Sequence, residues 1–414
     1  MKRSIYIFTC LLVGGTLLHA QDVRILNETL LSSLRAEAAR SHPAAAAAKL
    51  RANAAEQDFR AVRLWNDPMV GLSFMAADKM MRESDGDIIL GFDQALPKPG
   101  LFAANREKAE AMRRAEVENS RSSSLEVGAM AAKNAIELAL TDEAITLQGS
   151  QIQWLNSMAE NARQRAANPD SSSIEALRLE SELTRETQIL ESAKRTRDSI
   201  AQKLNLSLGR SLESPWPALK LPASPPPVPV AASEIARISR ANPKVRAMME
   251  TASVAKAETH VTERERLPEV SVGAETAIYS GGDFRSTTLG VKMTLPWLND
   301  STYSARTDAA RIREKAAIAD IETLRREIAG SILSVTSEAA NAAAQAHAYS
   351  GEVYQRTLQA TQATEASWIS SKSPLSDLLE SNKMLFSVRL EQRRFIAMEQ
   401  AALEELNLLV PNFH

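Results

Sequence analysis

RLWNDPMVGLSF, residues 63–74, closes a long Ala-rich, charged stretch with a proline and then alternates Val70, Leu72 and Phe74 with Gly71 and Ser73. Alternation with period two marks a strand that has one apolar face. A lone strand would leave its backbone N–H and C=O groups unpaired, so this one needs partners. Downstream, Ile88, Leu90 and Phe92 alternate with Gly91 and Asp93. ERLPEVSVGA, residues 265–274, repeats the shape of the first stretch: Pro268 precedes Val270, Val272, Ala274 and Ile278, which alternate with Ser271, Gly273 and Glu275. A fourth run sets Thr287, Leu289, Val291, Met293 and Leu295 against Ser286, Thr288, Gly290, Lys292 and Thr294.

That echo extends along the chain. SHP at 41–43 and ANP at 241–243 stand 200 residues apart, as do Pro68 and Pro268, and Trp154 and Tyr354. Leu96-Pro97 and Leu295-Pro296 are 199 apart, and Gly128 with Gly330 and Gly149 with Gly351 are 202 apart. Punctuating residues in one order at a near-constant offset mean an internal duplication. The seam is SPWPALKLPASPPPVPV, residues 214–230, whose seven prolines force extended backbone between the copies. The expected repeats are therefore 21–213 and 231–414.

Each repeat reads in one order: a rising helix (24–64; 232–265), two strands (68–76 and 87–96; 269–278 and 286–295), a long helix (101–167; 300–370) and a shorter one (173–208; 375–410). No proline interrupts 101–168 or 297–373, and a helix of that size reaches about 100 Å. AIELALTDEAITLQGSQIQWLNSMAENA, 135–162, spaces apolar residues by three and four with many alanines between, which suits closely packed coiled-coil helices. The breaks at 166–177 and 369–379 combine turn formers with capping serines and read as hairpin tips. The fold class is mainly α with a small β part; 15 glycines and 5% aromatic residues are too few for an all-β or an ordinary α/β chain.

Residues 1–20 carry Lys2 and Arg3, an apolar run and LHA ending at Ala20, the pattern of a cleaved export signal. The sole cysteine, Cys10, lies inside it, so an exported chain would hold no disulfide, no thiolate metal site and no lipidated cysteine. Removing two cations from the net charge of −2 leaves −4, which gives nucleic acid no basic surface. The five histidines, His19, His42, His260, His347 and His414, make no ligand spacing, and no nucleophile, P-loop or dinucleotide motif is present. No catalytic, cofactor or metal site is expected, and an exported hydrolase finds no cluster to rest on.

For an exported chain the alternating runs allow two readings. A sheet half buried against helices alternates in this way. Strands of nine or ten residues also cross a bilayer when tilted, with apolar side chains outward and polar ones inward. Trp65 and Trp297 flank the proline-marked strand ends, as rings do at a membrane–water boundary, whereas Phe102 reads as core packing. In register, Asp93, Glu275 and Lys292 would face a barrel lumen. Four strands cannot close, and lipid tolerates no open edge, so three chains would supply twelve. The alternative is a soluble periplasmic coiled-coil scaffold or adaptor with a small capping sheet.

The doubled layout, the SHP and ANP openings, the paired RLWNDPMVGLSF and ERLPEVSVGA and the strand exit FDQALPKPGLFAANREKAEA (92–111) resemble the TolC-type outer-membrane efflux channels, within them the heavy-metal branch. The resemblance implies a homotrimer in the Gram-negative outer membrane with a twelve-stranded barrel above a periplasmic α-barrel. It also implies a periplasmic adaptor at the helical tips, an inner-membrane pump of the resistance-nodulation-division type, and metal cations as cargo. Asn168, Asp170, Ser172, Lys372, Ser373 and Pro374 would then form the adaptor-contacting or gating surface, although the glycine common at such tips is missing. Glu175 and Asp377 would be aperture acids, or else acids favoured by helix N-termini. Met69, Met75, Met80 and Met81 offer soft thioethers, but apolar packing explains them as well.

Overall fold

The computed structural model describes residues 23–75, 87–166, 173–223, 232–279 and 282–410. The expected signal at 1–20, the tip residues Asn168, Asp170 and Ser172, Met80, Met81, His19, His414 and the connector from 224 to 230 lie outside the described residues.

The first repeat runs β1 (Arg24–Ile25), α1 (Glu28–Ser41), α2 (Pro43–Ala61), β2 (Met69–Met75), β3 (Asp87–Ala95), α3 (Leu101–Ala166) and α4 (Ile174–Leu208). After β4 (Leu219–Lys220), the second runs α5 (Ala232–Ala241), α6 (Pro243–Glu265), β5 (Val270–Tyr279), β6 (Phe284–Met293), α7 (Asp300–Ser350), α8 (Glu352–Ile369) and α9 (Leu375–Leu409).

The rising segments 24–64 and 232–265 are corrected by this order: each is two helices, not one. SHP and ANP are the joints. His42 and Asn242 take extended backbone and cap the second helix through Ala44 N–H to Nδ1 at 3.1 Å and Lys244 N–H to Oδ1 at 2.8 Å, while Pro43 and Pro243 occupy its first turn. Proline at N1 starts a helix but cannot continue one through its own missing N–H. The long segment 300–370 is likewise interrupted once, at Gly351, where the ladder resumes with Gln355 N–H donating to Gly351 O.

Alanine explains how such long helices are held. Along α3, Ala131, Ala132, Ala135 and Ala139 are fully buried beside Leu138. Side chains this small let helix axes approach closely. They meet Leu34, Leu204, Leu208 and Leu219 in one central cluster. A second cluster near the tips gathers Leu155, Leu179, Trp368, Leu375 and Leu378, and a third joins Val245, Ile332 and Leu406. Gly209 ends α4 at φ +67°, a left-handed cap open to glycine, and a β-carbon there would sit 2.9 Å from Ser41 O.

β1 and β4 form a short parallel pair that sequence reading did not anticipate. The other four strands make one antiparallel sheet in the order β2-β3-β5-β6, so β3 and β5 join the two repeats and β2 and β6 are its edges. β6 runs 284–293 rather than the expected 286–295; its register with β5 is continuous from Ala277↔Ser286 to Val270↔Met293, and an irregularity at Ala277/Ile278 lies at its hairpin end.

Candidate functional site

The register fixes what each face of the sheet carries. Val70, Leu72 and Phe74 of β2, Ile88, Leu90 and Phe92 of β3, Val272 and Ala274 of β5, and Leu289, Val291 and Met293 of β6 share one face. None of the described helices covers it: Val70 is 78% and Leu289 81% exposed. A contiguous apolar surface of this kind needs lipid or protein against it. The opposite face carries Gly71, Ser73, Gly91, Asp93, Ser271, Gly273, Glu275, Thr288, Gly290 and Lys292.

Asp93, Glu275 and Lys292 are thus brought to one face. Lys292 Nζ donates to Asp93 Oδ2 at 3.1 Å across β5. Gly273 makes that crossing possible, since a β-carbon there would come within 3.0 Å of Asp93 Oδ2. Met69 and Met75 share this face but stand six residues apart, about 20 Å along a strand, too far to hold one ion. Among the described residues no cluster of three His, Cys, Asp or Glu could hold a metal, and no helix is long and apolar enough to cross a membrane.

Where strands meet helices, Trp65 is 51% and Trp297 55% exposed, beside exposed Leu64 and Leu298. Phe102 is half-buried and lines a cleft with Lys98, Tyr303 and Arg306. Charges rim the same level: Arg63 holds Asp67 through two 2.8 Å hydrogen bonds, Lys98 donates to Glu265 O at 3.0 Å, and Arg266 pairs with Asp300.

At the far end, the described tip is the α8–α9 turn. Ser371 adopts φ +60°, with its N–H donating to Trp368 O and the Lys372 N–H to Ser367 O at 2.8 Å. A glycine would take this conformation without steric cost. Lys372 and Pro374 are exposed and Ser373 is half-buried. Beneath them, Trp368 is 1% exposed, the Arg165 guanidinium stacks 3.8 Å from its ring centroid, and Arg165 Nη1 donates to Trp368 O at 3.0 Å. Arg165 also lies 3.7 Å from Glu175, so Glu175 ties the end of α3 to the start of α4. Asp377 is exposed and accepts from Ser376 Oγ at 3.1 Å.

Sequence reading missed a third constellation, midway along α3. Asp142 pairs with Arg197 of α4 and accepts the Leu219 N–H at 2.8 Å; Glu143 accepts the Leu221 N–H at 2.9 Å and faces Arg393 of α9 at 2.9 Å. Arg197 also donates to Trp216 O, and Trp216 Nε1 donates to Asn205 Oδ1 at 2.7 Å. Two buried acids therefore strap the start of the connector across three helices. The one signal available was the acidic pair in ALTDEAITL, set inside an otherwise apolar, Ala-rich stripe.

No protein-family model and no curated protein sequence matches the chain. Solved structures do. The CusC channel superposes with a TM-score of 0.80 at 15% identity, covering 92% of each chain. The outer-membrane channel OprN gives 0.79 at 15% identity, over 93% of this chain and 90% of that one. The open state of the Neisseria gonorrhoeae MtrE outer-membrane channel gives 0.74 at 18% identity, over 92% and 88%. Likeness at this level of identity is one of architecture, over nearly the whole length of both partners: this chain has the fold of the outer-membrane channel proteins.

Proposed function

We propose that this protein is the passive outer-membrane exit duct of a tripartite efflux system in a Gram-negative bacterium. The observation that carries this reading is the open four-stranded sheet with one bare apolar face, mounted on helices of about 100 Å. Ten residues of strand tilted at about 45° rise about 24 Å, which suits an apolar band of about 25 Å. Strand directions alternate, so β6 of one copy would meet β2 of the next antiparallel, and three copies close twelve strands. The Trp65 and Trp297 rings then lie at the periplasmic boundary, and the helices continue below as an α-barrel.

In this arrangement the protein performs no chemistry. Its tips, with Lys372, Ser373 and Pro374 on the described hairpin and Asn168, Asp170 and Ser172 on the other, receive a periplasmic adaptor, and an inner-membrane pump of the resistance-nodulation-division type supplies the energy. Metal cations as cargo rest on the sequence resemblance alone. A soluble scaffold would have to cover the apolar sheet with protein, and no described segment of the chain does so. Fractionation separates the two: the duct is recovered in outer-membrane detergent extracts as a heat-modifiable oligomer, and recovery as a soluble periplasmic monomer would overturn it.

A further inference from the structure

Resting on the duct reading, the barrel wall carries a charge pattern with a consequence for cargo. The register partners Gly71, Gly91, Glu275 and Thr288 form one row across all four strands. Two of the four have no side chain, so Glu275 is the largest group in its row; its Cγ leans over Gly91, 3.7 Å from where a β-carbon there would lie. One row nearer the helices, Asp93 is 16% exposed and occupied by Lys292. Lys292 is the one described cation on this stretch of the face, and it also feels the Glu275 charge. At the hairpin end Asp87 shares this face by register, and Asp283 and Arg285 contribute one further charge of each sign. Over these rows two carboxylates thus share one ammonium, and the uncompensated charge sits on the exposed Glu275.

We infer that Glu275 is the charge-discriminating residue of the barrel: three copies form an electronegative ring that draws cationic solutes outward and opposes anionic ones. Low-dielectric walls lined by one sign of charge focus the field and raise the local counter-ion concentration about tenfold or more. The Asp93–Lys292 pair is the reason the ring carries one carboxylate per chain rather than two, and Gly273 is the reason that pair can form.

The test reads the potential beside Glu275 from outside the cell, independently of the helical tips. Thr288→Cys places a thiol directly opposite Glu275, about 5 Å away between β-carbons. Intact cells are treated with a trimethylammonium or a sulfonate methanethiosulfonate, and the ratio of the two rates is compared with that of a free thiol. The expected ratio favours the cationic reagent about tenfold at low salt and approaches the free-thiol value in 1 M salt, where screening acts within about 3 Å. Glu275→Gln in the same background abolishes the preference, and Lys292→Gln enlarges it by releasing Asp93. A ratio unchanged by Glu275→Gln overturns the inference while leaving the duct intact. If Thr288→Cys reacts with neither reagent while Leu289→Cys reacts with both, the faces are reversed; if neither position reacts, no surface-open lumen exists. In either case the duct reading fails, and the inference with it. Should Thr288→Cys fail to assemble as a heat-modifiable oligomer, Ser286→Cys, one row away on the same face, gives the same readings.

Discussion

Asp142→Asn changes one buried group in the strap and preserves its shape. Arg197 is mostly buried and would lose its counter-charge, keeping only the carbonyls of Trp216 and Pro217; the Leu219 N–H keeps an acceptor in the amide oxygen. Breaking a buried pair on one side costs about 3–5 kcal/mol, and the remaining carbonyls place this case at the lower end, about 3 kcal/mol. That cost falls on the docking of the connector rather than on the bundle, because the Asp142 and Glu143 carboxylates hold the backbone on both sides of Lys220. Lys220 itself is exposed, but Leu219 and Leu221 are buried, so trypsin must lift the segment to cut after Lys220. When reclosing outruns cleavage, the rate follows the open population, and about 3 kcal/mol raises it roughly 100-fold. Limited trypsinolysis of the detergent-solubilised protein, followed by mass spectrometry of the first fragments, reads this directly. Cleavage after Lys220 at the wild-type rate, or first cuts elsewhere, would refute the strap.

Three further outcomes follow from the same structure. Burial pushes the Glu404 carboxyl up to about 7 from 4.5, against the attraction of Arg35. A raised carboxyl pKa leaves stability full below about 4.5 and erodes it as pH rises through 7, by about 3 kcal/mol per chain. Glu404→Gln removes that slope, so the variant, matched to wild type at low pH where both side chains are neutral, gains on it in denaturation midpoint as pH rises to 8; parallel pH profiles would contradict it. Gly209→Ala forces a β-carbon against Ser41 O in a left-handed cap and should cost about 1–3 kcal/mol in chemical denaturation. Trp368→Ala empties the tip cluster and unseats Arg165, costing about 3–5 kcal/mol locally, seen as faster amide exchange at the start of α9.

Much of the architecture was legible because it is written in residues with strong local rules. Pro68 and Pro268 stand at the entry to β2 and β5, beyond the ends of α2 and α6, and period-two alternation survives any packing partner, so the strands and their faces could be read from sequence. Asp93, Glu275 and Lys292 fell on one face because strand parity is a local property. The joints at His42-Pro43 and Asn242-Pro243 were visible as repeat markers, yet the long Ala-rich runs on either side masked their role as caps. The strap could not be read at all: Asp142 and Leu219 are far apart in sequence, and an acidic pair in a helix looks the same whether it meets solvent or a connector. At the tip, Trp368 gave no sign that it would be buried under Arg165, and the Arg165–Glu175 ion pair beside it went unread for the same reason.

Everything proposed here depends on the open sheet closing with copies of itself. Protein extracted from purified outer membranes and weighed by light scattering with detergent contribution subtracted should contain three chains per particle. A particle of one chain, its β2 and β6 edges unpaired, would contradict the account.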